Sequence, residues 1–217
     1  MKVALLGASG FIGSALLSEA LGRGHAVTAI VRHPEKLEAR NGLAAVRGDV
    51  YDAAALAALI AGHEALISAF NPGWTPGTPR PAMYDEQVRG SASIIAAVKQ
   101  ARIGRVLWVG GAGGLFVAPG LRLIDTPDFP DWVKPGSRAT SEALEMLRQE
   151  PTLEWSFLAP SAILESGKRT GTFRLGGDRL LVDAKGESRI SVQDYAVAMI
   201  DELERPAHVR QRFTVGY

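Results

Sequence analysis

The chain predicts an α/β fold in which a mostly parallel sheet is covered by helices on both faces, and three observations carry that prediction. Short apolar runs recur at 3–6, 26–31, 44–46, 65–70, 105–110 and 153–159. Helix-period segments at 11–23, 53–61, 82–102 and 138–149 separate most of them, the alternation expected of parallel strands joined by crossover helices. The first run leads straight into Gly7-Ala8-Ser9-Gly10-Phe11-Ile12-Gly13, three glycines at three-residue spacing. Glycine supplies 24 of the 217 residues, so the triplet gains its meaning from the strand before it and the amphipathic helix after it. Together these observations define a Rossmann-type, doubly wound sheet. Its expected strand order is 3-2-1-4-5-6, with right-handed crossovers and a ligand crevice at the carboxyl ends of strands 1 and 4.

Taken in order, the first turn is the candidate dinucleotide-phosphate loop, residues Gly7, Ala8, Ser9, Gly10, Phe11 and Ile12. Gly7 allows a sharp turn off the strand, Gly10 lets a pyrophosphate approach the backbone, and Gly13 lets the helix lie close on the sheet. The helix start then presents unpaired N–H groups and partial positive charge to the phosphates. Arg32 ends the second strand, where an acidic residue would accept from a ribose 2′-hydroxyl and an arginine would receive a 2′-phosphate. The one acid between Gly13 and Arg32 is Glu19, inside the first helix, and His33 and Lys36 add positive character. A guanidinium grips phosphate through two parallel charged bonds, so NADP(H) is favoured over NAD(H).

After the third strand, Asp49 and Val50 stand where adenine would lie. Asp49 reads equally as an adenine contact and as a turn or cap residue ahead of the helix from 53. Ser68, Ala69, Phe70 and Asn71 close the fourth strand, and Gly110 and Gly111 close the fifth; both ends should pass the cofactor. Pro160-Ser161-Ala162-Ile163 follows the sixth strand, and its main-chain N–H groups are expected to bind a nicotinamide carboxamide.

Two long segments leave carboxyl ends of strands, 71–81 and 111–137. The first is too rich in Pro and Gly for helix. Because they carry Trp74, Phe116, Phe129 and Trp132 at the crevice mouth, they read as walls of a substrate site, with surface connectors as the alternative. Asn71 and Lys134 are further candidate contacts there. In the C-terminal part, 170–175 and 179–183 look like a hairpin around Gly176-Gly177-Asp178. Ser191 with Asp194 resembles a capping box opening a helix, and 212–215 is a final strand.

A chain of 217 residues, 47% hydrophobic, fills one domain, 1–217, with little left for a second. The net charge of +1 is dispersed, which argues against nucleic acid or membrane as a partner and for a small molecule. Cysteine is absent, which excludes disulfides and thiolate catalysis. His25, His33, His63 and His208 are too scattered for a metal cluster. The N-terminal apolar run breaks at Gly7, too early for a signal peptide, and no stretch reaches membrane-spanning length, so a cytoplasmic location is expected. Nothing in the pattern specifies an oligomeric state.

The phosphate loop, Ile30-Val31-Arg32, Gly48-Asp49-Val50, Val109-Gly110-Gly111-Ala112-Gly113, and the tail from Gly186 through Ala198 resemble the atypical short-chain dehydrogenases. The likeness is to the NmrA-like and NAD(P)H-flavin reductase group, more distantly to biliverdin reductase B, and it spans nearly the whole chain. The resemblance implies a Rossmann fold and NADP(H) binding. One departure bears on chemistry: typical members protonate a carbonyl with a Tyr four residues before a Lys, and none of Tyr51, Tyr84, Tyr195 or Tyr217 has that Lys. Gly114 replaces the Ser common after Gly-Gly-Ala-Gly, and 109–125 holds no hydroxyl residue. The expected activity is therefore hydride transfer to a flat conjugated acceptor such as free flavin or quinone, with flavin as substrate rather than bound cofactor and no assigned catalytic side chain. Phe70, Trp74, Phe116 and Trp132 are candidate stacking walls. Two rivals remain: a non-catalytic NADP(H) redox sensor, and a nucleotide-sugar epimerase or dehydratase.

Overall fold

A computed structural model describes the chain except for residues 74–76 and 79. Its central sheet runs through β1 (Lys2–Leu6), β2 (Ala26–Val31), β3 (Leu43–Arg47), β4 (Ala65–Ser68), β5 (Arg105–Val109), β8 (Glu154–Ala159), β10 (Arg174–Gly176) and β12 (Gln211–Gly216). The spatial order is β10-β12-β8-β5-β4-β1-β2-β3. The predicted order 3-2-1-4-5-6 lies inside it as β3-β2-β1-β4-β5-β8, and two further strands extend the β8 edge. Every pairing in this sheet is parallel except β10 with β12.

The helices are α1 (Phe11–Gly22), α2 (Ala53–Ile60), α3 (Met83–Ala101), α4 (Lys134–Arg148) and α5 (Val192–Glu204). Side chains alternate between the faces of a strand, so Leu5 and Ile67 join Leu16, Tyr195 and Met199 under α1 and α5. Their neighbours Leu6 and Leu66 join Leu56, Ile94, Trp108 and Leu144 under α2, α3 and α4. Both faces being covered, the central strands are near-continuous apolar runs. The reversal of strand order between β1 and β4 leaves the crevice at their carboxyl ends.

Three local expectations are corrected. First, 170–175 and 179–183 do not pair with each other: β10 pairs antiparallel with β12, because β12 would otherwise leave its outer edge open. The 179–183 segment instead folds over it, with Arg174 donating to Val182 O and Arg179 bridging to Phe116. Second, α4 starts at Lys134 rather than near 138, with Pro135 in its first turn where a missing N–H costs nothing. The preceding segment is not a bare loop; it contains the antiparallel ribbon β6 (Phe116–Ala118) and β7 (Leu121–Arg122). Third, Ser191 caps α5 by accepting from Asp194 N–H at 3.0 Å, but the Asp194 carboxylate does not reach back to complete a capping box.

That carboxylate is fully buried and clamps the strap that follows β9 (Ile163–Glu165). Oδ1 accepts from Thr170 N–H and Gly171 N–H, both at 2.8 Å. Oδ2 accepts from the Thr170 hydroxyl at 2.6 Å and the Tyr217 hydroxyl at 2.7 Å. Burial works to raise its pKa, but the Thr170 hydroxyl, the Gly171 amide and the Tyr217 hydroxyl outweigh it and hold the group below its ordinary value. A folded pKa below the unfolded value of about 3.9 means that this stabilisation is present above pH ~4 and is lost as pH falls through the folded value. Asp194→Ala is expected to lower the unfolding free energy at pH 7 by about 2–3 kcal/mol and to flatten its decline below pH 4. Urea unfolding across that range checks both.

Candidate nucleotide-binding site

The site begins where β1 meets α1. Gly7 has φ +77°, a conformation suited to glycine, and a Cβ there would overlap the Ala69 carbonyl at the end of β4. A Cβ on Gly13 would overlap the Gly7 carbonyl, so the helix can sit this close only without a side chain. The turn closes with Gly10 N–H donating to Gly7 O at 2.9 Å. Ala8 is buried, Ser9, Gly10 and Phe11 are exposed, and Ile12 is half-buried. No side chain caps the start of α1 and no acid lies in its first turn, leaving its outward N–H groups and positive end available to an anion.

At the end of β2, Arg32 is exposed and makes no hydrogen bond or ion pair among the described residues. Asp49 is exposed, and its Oδ1 accepts from Tyr51 N–H at 3.0 Å; Val50 is half-buried against the α2–α4 core. The turn role of Asp49 is therefore realised, with its second oxygen uncommitted. Asp52, not Asp49, caps α2 by accepting from Ala55 N–H.

Ser68 is buried with its hydroxyl unpaired among the described residues, and Ala69 N–H donates to Leu6 O at 3.0 Å. The Phe70 ring lies edge-on to Tyr51, centroids 6.0 Å apart, and a Cβ on Gly90 of α3 would overlap it. Its ring is thus engaged in packing against α3. Asn71 is exposed and accepts from Gly73 N–H at 2.9 Å. Trp74 lies outside the described residues. Phe116 is half-buried in β6, where its N–H donates to Asp178 O and its carbonyl accepts from Leu180 N–H. Trp132 is half-buried, and Lys134 pairs with Asp131 at 2.6 Å.

Gly110 is fitted tightly against Phe157, with its N–H donating to Leu158 O at 2.8 Å. Gly111 follows, half-buried beside Thr140 of α4. Pro160 and Ser161 are buried, and the Ser161 hydroxyl donates to Val215 O at 2.9 Å. The expectation that amides of this turn bind a carboxamide is corrected in part: Ala162 N–H donates to Ser188 Oγ at 3.1 Å and Ile163 N–H to Ser188 O at 2.9 Å. The segment before β11 (Arg189–Ser191) has taken both donors.

Sequence reasoning missed the hydroxyls beside the loop after β5. They come from α4: Ser137 Oγ and Ser141 Oγ lie where Cβ atoms on Gly113 and Gly114 would point, and Thr140 faces Gly111. The i, i+3, i+4 spacing of 137, 140 and 141 was the available signal. The Ser137 hydroxyl is buried without a partner among the described residues. A groove of about 590 Å³ also runs along α1 from Phe11 past Ser14 and Ser18 to Arg169 and Gln193. Among the described residues no group of three or more His, Cys, Asp or Glu side chains is placed to hold a metal ion, and no helix is long and apolar enough to cross a membrane.

Fold and loop together define a dinucleotide-binding protein of the Rossmann type. The chain belongs to the NAD(P)H-binding family, whose model matches residues 7–203. It is 42% identical over 218 residues to the uncharacterized protein YwnB of Bacillus subtilis, covering 99% of this chain and 98% of that one. Among solved structures it is similar to a provisionally named epimerase from Bacteroides thetaiotaomicron, with 49% identity, TM-score 0.92, and 100% and 96% of the two chains covered. It is also similar to a provisionally named NADH-flavin reductase from Streptococcus pneumoniae, with 35% identity, TM-score 0.84, and coverage of 100% and 99%.

Proposed function

We propose that the protein uses NADP(H) to pass hydride to a flat conjugated acceptor, free flavin or a quinone, whose proton comes from water. The observation that carries this reading is the employment of its tyrosines. Tyr195 is fully buried, donates to Leu158 O at 2.8 Å and is pushed far above an ordinary tyrosine pKa by burial. Tyr217 is bound to Asp194, and Tyr51 is covered by Phe70 and the Arg89 guanidinium, 4.3 Å above its ring. Tyr84, on the first turn of α3, is exposed, and no Lys follows it at the fourth position. A carbonyl reductase needs a placed acid; a flavin does not.

The bound dinucleotide supplies one hydride and solvent one proton, giving the dihydro acceptor and oxidised cofactor. In this reading the glycine turn and the start of α1 hold the pyrophosphate, Arg32 the 2′-phosphate, and the main chain at Ser68–Phe70 and at Gly110–Gly111 flanks the ribose and nicotinamide. Ordering donor and acceptor face to face then supplies most of the acceleration. The relative named for flavin reduction supports the acceptor class. A cytoplasmic location and a small-molecule partner belong to the same reading.

The test follows NADPH absorbance with FMN, riboflavin and quinones in turn. Tyr84→Phe is expected to keep turnover within about tenfold of the parent, whereas loss of a placed general acid removes roughly 10²–10⁴-fold; a loss of that size with NADPH binding intact would restore a carbonyl-type reductase. The name of the Bacteroides relative, an epimerase, favours a second reading; with a nucleotide sugar as the candidate substrate, its turnover with no net NADPH consumption would select that reading. NADPH binding without turnover of any acceptor would select the redox sensor.

A further inference from the structure

The β2–β3 pairing sets Val31 opposite Arg47, and Gly48 N–H donates to Val31 O at 3.1 Å, so Arg47 ends β3 beside the strand end that Arg32 follows. Between them the chain makes the short 3-10 turn Pro34–Lys36, which brings Glu35 back over the same spot. Its Oε1 lies 3.1 Å from His33 Nδ1 and its Oε2 3.7 Å from Arg47 Nη2. All three side chains are more than half exposed: 57% for His33, 58% for Glu35 and 72% for Arg47. Exposed pairs of this kind add little to folding stability, so the arrangement is easily broken by a better anion. Its composition is one arginine and one imidazole around one carboxylate, beside the strand end that carries Arg32, where a Rossmann fold reads the adenosine ribose.

We propose that Glu35 is an internal anion standing in the place of the 2′-phosphate, and that it sets the ratio of NADPH to NADH binding by competing for Arg47 and His33. This rests on the reading of Arg32 as the 2′-phosphate contact and adds Arg47 as a second. A 2′-phosphate arriving at the end of β2 repels the carboxylate, which swings into solvent and releases Arg47 and His33 to the phosphate. With NADH, Glu35 stays and accepts a hydrogen bond from the ribose 2′-hydroxyl. Glu35 is ionised at neutral pH, its own backbone amide first and then His33 and Arg47 holding its pKa below the ordinary value.

The experiment is calorimetric titration of the full chain with NADPH and NADH, and with 2′,5′-ADP and 5′-AMP as fragment probes. Glu35→Gln is expected to raise the NADPH to NADH affinity ratio by roughly tenfold, with NADPH tightened, and Arg47→Ala to lower NADPH affinity roughly tenfold with NADH unchanged. The fragments should show the same pattern, because the effect belongs to the 2′-position. A loss of NADH affinity in Glu35→Gln without any gain for NADPH would make Glu35 an ordinary ribose acceptor and overturn the inference. Arg32→Ala separates the two levels. If it moves the ratio while the Glu35 and Arg47 variants do not, the inference fails and the Arg32 reading stands. If the parent binds both dinucleotides alike and no variant moves the ratio, both fail.

Discussion

Gly10→Val is expected to abolish dinucleotide binding, lowering NADPH and NADH affinity by roughly 100-fold or more, which is about 2.7 kcal/mol, while the protein remains folded. Gly10 sits at φ −84°, ψ 172°, extended backbone that valine adopts readily. It is exposed, and a Cβ there meets only Gly7 O at 3.3 Å, so a small shift accommodates it. Its branched side chain would nevertheless project over the uncapped start of α1, where a pyrophosphate must lie. The other two glycines of the loop cannot make this separation. A side chain at Gly7 or Gly13 overlaps backbone, and such overpacking costs fold as well as binding. Calorimetry paired with near-ultraviolet circular dichroism checks the prediction. Unchanged NADPH affinity would show that the phosphates bind elsewhere.

Glu202→Ala is expected to destabilise the protein by about 3–5 kcal/mol, lowering its melting temperature by roughly 10 °C, without altering NADPH affinity of the folded fraction. Glu202, 3% exposed, faces Arg105, 8% exposed, at 2.9 Å. Its Oε1 also accepts from the Ser156 hydroxyl and from His208 N–H, and its Oε2 accepts from Ala207 N–H, with His208 Nδ1 at 2.8 Å. The His208 ring stacks on Phe213 with centroids 4.1 Å apart. Burial works to raise the Glu202 pKa, but His208, Ser156 and Ala207 outweigh it and hold the group below its ordinary value. Truncation would strand a buried guanidinium and several donors together, the costly half of removing an ion pair. The network sits at the amino ends of β5 and β8, opposite the crevice, which is why binding should survive. Chemical unfolding at pH 7 provides the measurement, and a loss below about 1 kcal/mol would mean that water or neighbouring groups satisfy Arg105 in place of the carboxylate.

Much of the fold was legible because it depends on short-range chemistry. The run 3–6, the glycines that follow and the helix from Phe11 were readable because each rests on a local rule: apolar periodicity, backbone freedom, close helix packing. The strand order as far as β8 followed because crossover handedness leaves few alternatives. The segments after β8 were less legible because their partners lie far away in sequence. Gly176-Gly177-Asp178 has the composition of a hairpin turn, yet the strand before it pairs with β12, whose open edge offered longer-range hydrogen bonds than the local hairpin did.

The same division runs through the candidate site. The glycine loop and the cation at the end of β2 are properties of composition at known distances from a strand, so the residues alone indicated a dinucleotide and favoured a 2′-phosphate. Only the tertiary structure decided which atoms remain available to a ligand. The Ala162 and Ile163 amides were reasonable carboxamide donors until β11 and the Ser188 segment before it took them, and it is α3 that brings Gly90 against the Phe70 ring. The hydroxyls at 137, 140 and 141 belong to a helix that docks beside the loop after β5. Glu35 reaches Arg47 only because β2 and β3 pair in one register. Local backbone preferences act over a few residues and can be read along the chain, whereas hydrogen-bond partners and burial are shared between elements and exist only once those elements meet.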